Sequence, residues 1–262
     1  MNHLSKKIGI MGNGMVGSTL LKWFKNALVF DVDPKRSINT AEELDHLTEV
    51  VFICVPTPFS HSKNEFDLSI VEEAISMLKS SKIIIIKSTV IPGTTQYLQD
   101  KYPKHLFLFN PEFLTEKTAL NDFLNPEMQI VGYTNKSKKI ARKILKLLPE
   151  SSFENITDAK NAESIKYFRN CFYATKVVFA NQFYDYCKKE NIDYEIVKEA
   201  VKHDSMISPN HLEIFHQGGR GAGGKCLAKD LSAFTKKTKL PLLQKVDQLN
   251  KEYLKESAKK LY

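Results

Sequence analysis

The residues in this chain that could do covalent chemistry cluster near its end, at Gly221-Ala222-Gly223-Gly224-Lys225-Cys226-Leu227-Ala228-Lys229-Asp230. The four small residues leave room for a ligand or another backbone to come close. If a helix begins near Cys226, the thiol sits at its positive end, and Lys225 and Lys229 add positive charge. Both effects lower a thiol pKa, and the thiolate is the reactive form. Cys226 and Asp230 are four apart and share a helical face, which sets a nucleophile beside a base or orienting group. The same ten residues also read as a glycine turn before an ordinary helix with a passenger cysteine, so the rest of the chain has to decide.

A second stretch, Gly12-Asn13-Gly14-Met15-Val16-Gly17, lies between the apolar strand Ile8-Gly9-Ile10-Met11 and a helical stretch from Ser18 to Phe24. In that context Gly12 permits the tight turn, Gly14 lets backbone approach a pyrophosphate, and Gly17 lets helix pack on strand, while the helix N-terminus attracts phosphates. A second strand, Leu28-Val29-Phe30, ends at Asp31, at about the spacing where a carboxylate takes the hydroxyls of an adenosine ribose. A carboxylate there repels a 2′-phosphate, which favours NAD over NADP, and Arg36 nearby is the opposing consideration. A glycine turn with no cofactor is the other reading.

The elements that must position these groups follow from periodicity. Val50 to Val55, Ile83 to Ile86 and Leu106 to Phe109 read as buried parallel strands, apolar on both faces. Met128 to Val131 closes the sheet, and a basic helix is expected from about Lys136 to Leu148. Ligands of open α/β sheets sit at the carboxyl ends of strands, so Ser88 and Thr89 are placed to touch one, or else to cap a turn. Glu112 and Glu116, four apart, follow another strand end. Past about Phe153 no further strand is expected. Asp158 to Lys188 reads as one long helix carrying Glu163, Lys166 and Asn170, with the last two on one face; from spacing alone Lys166 reads as a surface lysine. Helices from Ile192 to Val201 and from about Leu242 to the end complete the expectation: a doubly wound parallel sheet followed by an all-helical domain.

The totals fit that architecture. The chain has 262 residues, is 42% hydrophobic and 26% charged, and carries 38 Lys+Arg against 30 Asp+Glu. No apolar run reaches the roughly 18 residues needed to span a bilayer. The N-terminus, Met1 to Lys7, leads straight into a strand with no signal-peptide pattern. Cys54, Cys171, Cys187 and Cys226 show neither paired nor zinc-ligand spacing, so they read as reduced thiols of a cytoplasmic protein without a metal. The net charge of +8 is scattered, and its densest cluster, Lys136 to Lys143, reads as a solvated helix face rather than a nucleic-acid site.

Several motifs stand in one order: Gly12 to Gly17, Val55-Pro56-Thr57-Pro58, Lys87-Ser88-Thr89-Val90, Asn110-Pro111-Glu112-Phe113-Leu114-Thr115-Glu116, Ala162 to Lys166 with Asn170, and Gly223 to Asp230. Together they resemble the UDP-glucose/GDP-mannose dehydrogenase family over nearly the whole chain. The resemblance implies a Rossmann-like NAD-binding domain over residues 1–155 and a helical, dimer-forming domain over 156–262 that carries the cysteine. It implies oxidation of a sugar or nucleotide-sugar primary alcohol to a carboxylate through a Cys226 thiohemiacetal and thioester. Lys166 and Asn170 would stabilise the oxyanion, and Asp230, Glu112 or Glu116, with Thr89, would handle protons and water. To the cofactor it assigns Gly12, Asn13, Gly14, Met15, Val16, Gly17, Asp31, Arg36, Val55, Pro56, Thr57, Ser88, Thr89, Glu116 and Lys229.

Members of that family continue into a third α/β domain that holds the nucleotide, and a short form lacking it is expected here. Ala222 and Leu227 stand where the family has aromatics, Met206 stands where it has an arginine, and the stretch from His211 to Arg220 is altered, so the substrate-recognition shell differs. The other readings are an NAD-binding or regulatory module without turnover, and a two-electron dehydrogenase of a smaller alcohol or hydroxy acid. A homodimer is expected through the long helix, because Phe168, Phe172, Val177, Phe179 and Phe183 make it apolar on more than one face. Among the thiols, Cys226 should react first, with Cys187 beside Lys188 and Lys189 as its competitor and Cys54 and Cys171 buried and slow.

Overall fold

A computed structural model of the chain describes residues 8–60, 65–216, 219–224 and 226–259. The N-terminal stretch Met1 to Lys7, the polar loop at 61–64 and the expected charge of Lys225 lie outside the described residues. The described chain divides into two compact units, one of residues 8–60 and 66–166 and one of Glu65 with the residues from Tyr167 onward.

The first unit alternates strands and helices: β1 (Ile8–Met11), α1 (Met15–Trp23), β2 (Leu28–Phe30), α2 (Ala41–Leu47), β3 (Val50–Ile53), a small ribbon of β4 (Phe59–Ser60) and β5 (Glu65–Phe66), α3 (Ser69–Ser76), β6 (Ile83–Ile86), α4 (Thr94–Lys101), β7 (Leu106–Phe109), α5 (Ala119–Leu124), β8 (Met128–Tyr133), α6 (Ala141–Leu145) and β9 (Phe153–Asp158). The main sheet runs β2-β1-β3-β6-β7-β8-β9. Its members pair in parallel except β7 with β8, which are antiparallel, so the expected doubly wound parallel sheet is present with one antiparallel pair.

Alternation along the strands separates two cores. Met11, Val51, Ile53, Ile84, Ile86, Phe107 and Phe109 face one side with Leu44 of α2, Val71 and Ile75 of α3 and Leu98 of α4. Ile8, Ile10, Val50, Phe52, Ile85 and Leu108 face the other with Leu20 of α1, Phe123 of α5 and Ile144 of α6. Burial on both faces is why these strands are continuous apolar runs. β1 pairs with β2 on one side and β3 on the other. The crevice where strand order reverses therefore opens at the carboxyl end of β1, where the Gly12 turn begins.

Two expectations are corrected here. β9 is a strand, parallel to β8 in the register Met128↔Phe153 to Tyr133↔Asp158, where none was expected. Its sequence, FENITD, is polar because it is the edge strand and lies largely open to solvent. The expected basic helix from Lys136 is a 3-10 turn at Lys138–Ile140 followed by the short α6. Arg142 and Lys143 lie exposed on it, as a solvated face requires.

The long helix α7 (Ala159–Lys189) has 31 residues, and the division between the units falls within it. The second unit adds α8 (Tyr194–Lys202), α9 (Leu227–Thr238) and α10 (Pro241–Lys259). Cys171, Ala174, Val178, Ala222, Leu231, Val246 and Tyr253 form its main core. Phe168, Phe172, Phe179, Phe183 and Tyr186 of α7 are left exposed, with ring contacts Phe168–Phe172, Phe179–Phe183 and Phe183–Tyr186. Val177, expected on that surface, is buried. Among the described residues no helix is long and apolar enough to cross a membrane.

Candidate active site

The glycine turn is built for close approach. Gly12 has φ +92°, its N–H donates to the Phe30 carbonyl at 2.9 Å, and a β-carbon there would lie 2.8 Å from the Cys54 carbonyl oxygen. Gly17 sits so close beneath the turn that a β-carbon would lie 1.9 Å from the Gly12 carbonyl oxygen. Gly14, the N-cap of α1, has no side-chain cap, and a β-carbon on it would meet nothing within 4 Å. The start of α1 is thus left clear beside Gly14 and has no side-chain cap on its first-turn amides, those of Met15 and Val16 among them, which suits an anion.

Asp31 is fixed from two sides: Asn13 N–H donates to Oδ2 at 2.6 Å and Asp33 N–H to Oδ1 at 2.9 Å. Asn13 also donates its side-chain amide to the Arg36 carbonyl at 2.7 Å, which ties the turn to the end of β2. The Arg36 guanidinium leans on Asp33 at 3.4 Å. Met11, Gly12, Phe30, Val55, Pro56 and Met77 line an open apolar cleft beside this carboxylate. An apolar slot with one anchored carboxylate, next to an open helix N-terminus, fits an adenosine diphosphate group such as that of NAD.

At the ends of β3 and β6 the hydroxyls are partly committed. Thr57 Oγ1 donates to the Thr89 carbonyl at 2.7 Å and Ser88 Oγ to the Val55 carbonyl at 2.6 Å, so Ser88 offers a ligand lone pairs rather than its proton. Thr89 is half-buried.

Lys166 is not the surface lysine that its spacing suggested. It is buried, and its Nζ donates to Glu112 Oε1 at 2.7 Å and to the Glu112 carbonyl at 2.6 Å. The other Glu112 oxygen accepts from Leu114 N–H at 2.9 Å. Burial works against ionisation of Glu112, but the Lys166 charge and hydrogen bond, the Leu114 amide and the Lys87 charge outweigh it and hold the carboxyl below its usual range. Glu116, its equivalent by spacing, is exposed in the turn before α5, because the segment after β7 is not helical. Glu163 is buried and accepts from the Thr95 amide and hydroxyl at 2.8 and 2.6 Å, which caps the start of α4.

Lys87 is a residue that sequence reasoning passed over. It is buried at the end of β6, donates to Asn110 Oδ1 at 2.8 Å, and burial brings its pKa down to about 8 against the opposing pull of Cys54 and Glu112. The available signal was a lysine directly after four isoleucines of a strand buried on both faces.

In the second unit Cys226 is the N-cap of α9, with an exposed thiol and no side-chain capping bond at that helix end. Its carbonyl accepts from Asp230 N–H at 2.9 Å, which starts the helix. Asp230 is buried; Asn170 Nδ2 donates to its Oδ2 at 2.7 Å, and Lys229 Nζ lies 3.2 Å from its Oδ1. Asn170, Asp230 and Lys229 are therefore brought together one helical turn from the thiol.

The other thiols differ. Burial pushes Cys54 up to about 12, although Lys87 pulls the other way, and burial with Asp230 and Asp247 pushes Cys171 up to about 12. Cys187, expected to compete with Cys226, is only 1% exposed, packed with Ala180, Tyr194, Leu212 and Ile214. Its neighbours Lys188 and Lys189 lie on the outer side of the helix, which is why a basic flank misled. Ala222 is buried, Leu227 half-buried and Met206 exposed.

One unit thus carries a nucleotide-sized cradle, and the other a cysteine at the N-cap of α9, one turn from Asp230 and Asn170. The comparisons name the family. Residues 25–148 match the NAD binding domain of the UDP-glucose/GDP-mannose dehydrogenase family, and residues 160–252 match its central domain; the chain belongs to that family. The UDP-glucose 6-dehydrogenase of Rickettsia bellii is 40% identical over 202 residues, spanning 73% of this chain and 45% of that protein. UDP-glucose 6-dehydrogenase TuaD of Bacillus subtilis is 35% identical over 198 residues, 71% of this chain and 41% of that protein. This chain thus spans less than half the length of these curated relatives. A UDP-glucose dehydrogenase structure from Pyrobaculum islandicum superposes with a TM-score of 0.82 at 25% identity, covering 96% of this chain and 70% of that one. A UDP-D-ManNAc dehydrogenase from Pyrococcus horikoshii has the same fold, with a TM-score of 0.81 at 20% identity over 94% of this chain and 68% of its own.

Proposed function

We propose that this chain oxidises the primary alcohol of a nucleotide sugar to a carboxylate in two successive NAD-dependent steps, through the thiol of Cys226. The observation that carries this reading is the exposed Cys226 thiol at the open N-terminus of α9, one turn from the Asp230–Asn170 pair, in a chain whose first unit is the family's NAD binding domain. The names of the relatives point to UDP-glucose as the substrate. The bound cofactor supplies a hydride acceptor.

The rest is the chain's own work. Gly12, Gly14 and Gly17 shape the phosphate turn, and Asp31 holds the ribose. After the first oxidation the Cys226 thiolate adds to the aldehyde carbon, giving a thiohemiacetal whose loss of hydride leaves a thioester. Water then cleaves the thioester, releasing the carboxylate and restoring the thiol. Asn170 gives one amide proton to Asp230 and keeps the other for the oxyanion. Lys166, whose bonds to Glu112 use two ammonium protons, is a fixed cation that keeps a third proton for an anion. Asp230 takes the role of proton acceptor, and Thr89, Glu112 and Glu116 those of water and substrate positioning.

The exposed stripe Phe168, Phe172, Phe179, Phe183 and Tyr186 supports a homodimer formed through α7, since adjacent exposed aromatics on a soluble chain mark an interface. Cysteines held as thiols support a cytoplasmic location. Following NADH with a panel of sugar nucleotides tests the reading. Two NADH per sugar supports it, one favours a two-electron dehydrogenase, and none across the panel favours an NAD-binding module.

A further inference from the structure

We propose that Asn250 of α10 is a positioning residue for Cys226: it clamps the backbone of Ala222 so that the glycine-rich turn delivers the thiol to the N-terminus of α9. The inference rests on the reading of Cys226 as the reacting thiol. Asn250 is buried, Ala222 N–H donates to its Oδ1 at 2.6 Å, and its Nδ2 donates back to the Ala222 carbonyl at 3.1 Å. One side chain thus closes both polar groups of a single residue, as a neighbouring strand would, where water does not compete.

The flanking residues continue the clamp. Gly221 has φ +84°, and a β-carbon there would lie 3.0 Å from Asn250 Oδ1 and 3.1 Å from Tyr253 Cβ, so only glycine lets the turn come this near α10. Arg220 N–H donates to Ser257 Oγ at 2.6 Å, and the Arg220 guanidinium reaches Asn181 Oδ1 at 3.0 Å and Asp185 at 2.8 Å. Beyond Ala222, Gly223 and Gly224 have no side chain to fix them; Gly224 stands at φ +75° with open space where a β-carbon would be. The carbonyl of Cys226 starts α9. The clamp lies directly before Gly223 and Gly224, two residues without a β-carbon, whose backbone is the least restricted by sterics. Without the clamp these two glycines gain conformations that carry the thiol away from the helix end. None of these contacts reaches the reacting atoms, so Asn250 acts through the backbone.

The test is the rate at which iodoacetamide labels Cys226 near pH 7, read by peptide mass in the wild type and in Asn250→Ala, with N-acetylcysteine as the free-thiol reference. The expected result is a fall of about tenfold at Cys226 in the variant, while Cys54, Cys171 and Cys187 stay unlabelled. The second half separates positioning from mere destabilisation, which would raise labelling at the buried thiols. An Asn250→Ala rate equal to wild type overturns the inference while leaving Cys226 a nucleophile. A wild-type rate no faster than the free thiol removes the reading of Cys226, and this inference with it. Should Asn250→Ala not fold, Ser257→Ala removes the half-buried acceptor of the Arg220 amide; a slower Cys226 there supports the clamp, and an unchanged one overturns it.

Discussion

Lys166 Nζ and Glu112 Oε1 are joined at 2.7 Å with their side chains only 5% and 9% exposed, although the residues are 54 apart in sequence. Removing one partner strands the other charge in the interior. Lys166→Met is therefore expected to destabilise the protein by about 3–5 kcal/mol, whereas Lys166→Met with Glu112→Gln costs less than the single change. Urea unfolding of the two variants measures this. The folded pKa of Glu112 lies below its unfolded value, so its contribution is present above the ordinary carboxylate pKa and is lost as pH falls through the folded one. Glu112→Gln should accordingly flatten the acid limb of the stability profile.

Gly14 and Gly17 separate cofactor binding from folding. A β-carbon at Gly14 meets nothing in the protein, so Gly14→Ala is expected to leave the melting temperature unchanged while weakening NAD binding about tenfold, because the methyl group occupies the phosphate approach. Gly17→Ala puts a methyl 1.9 Å from a carbonyl oxygen and is expected to cost about 1–3 kcal/mol of stability as well. Calorimetry with and without NAD reads both effects.

These glycines were legible because their local context, strand before and helix after, is itself local in sequence. The same holds for the strands Val50–Ile53 and Ile83–Ile86, buried on both faces, and for the helix start at Cys226. What stayed illegible depends on contacts made at a distance. The burial of Lys166 follows from its meeting with Glu112, that of Cys187 from packing against Leu212 and Ile214, and the edge strand β9 from pairing with β8. The Asn250 clamp, 28 residues from Ala222, left no pattern that periodicity could find.

Cysteine reactivity should be sharply graded. Limiting iodoacetamide near neutral pH is expected to label Cys226 first and to leave Cys171 and Cys187 untouched, since both are buried. NAD with a substrate should protect Cys226. Peptide mapping by mass spectrometry gives the order, and early labelling of Cys187 would contradict the burial seen here.

The aromatic stripe on α7 gives a prediction of assembly. Phe172→Glu with Phe179→Glu places two charges on a surface that is exposed within one chain, so the fold should persist. Sedimentation at about micromolar concentration should show the wild type as a dimer and the double variant as a monomer. A monomeric wild type would remove the dimer proposal.

The account turns on the Cys226 thiol, and Cys226→Ser tests it most directly. Serine keeps the shape of the helix end, and Gly12, Gly14, Gly17 and Asp31 belong to the other unit, so NAD binding should survive. A hydroxyl at its ordinary pKa is a poor nucleophile, so formation of the carboxylate from the sugar nucleotide should stop. The measurement is carboxylate product per mole of substrate for wild type and variant under the same NAD concentration. The account predicts product from the wild type and none from Cys226→Ser, and undiminished carboxylate from the variant would contradict it.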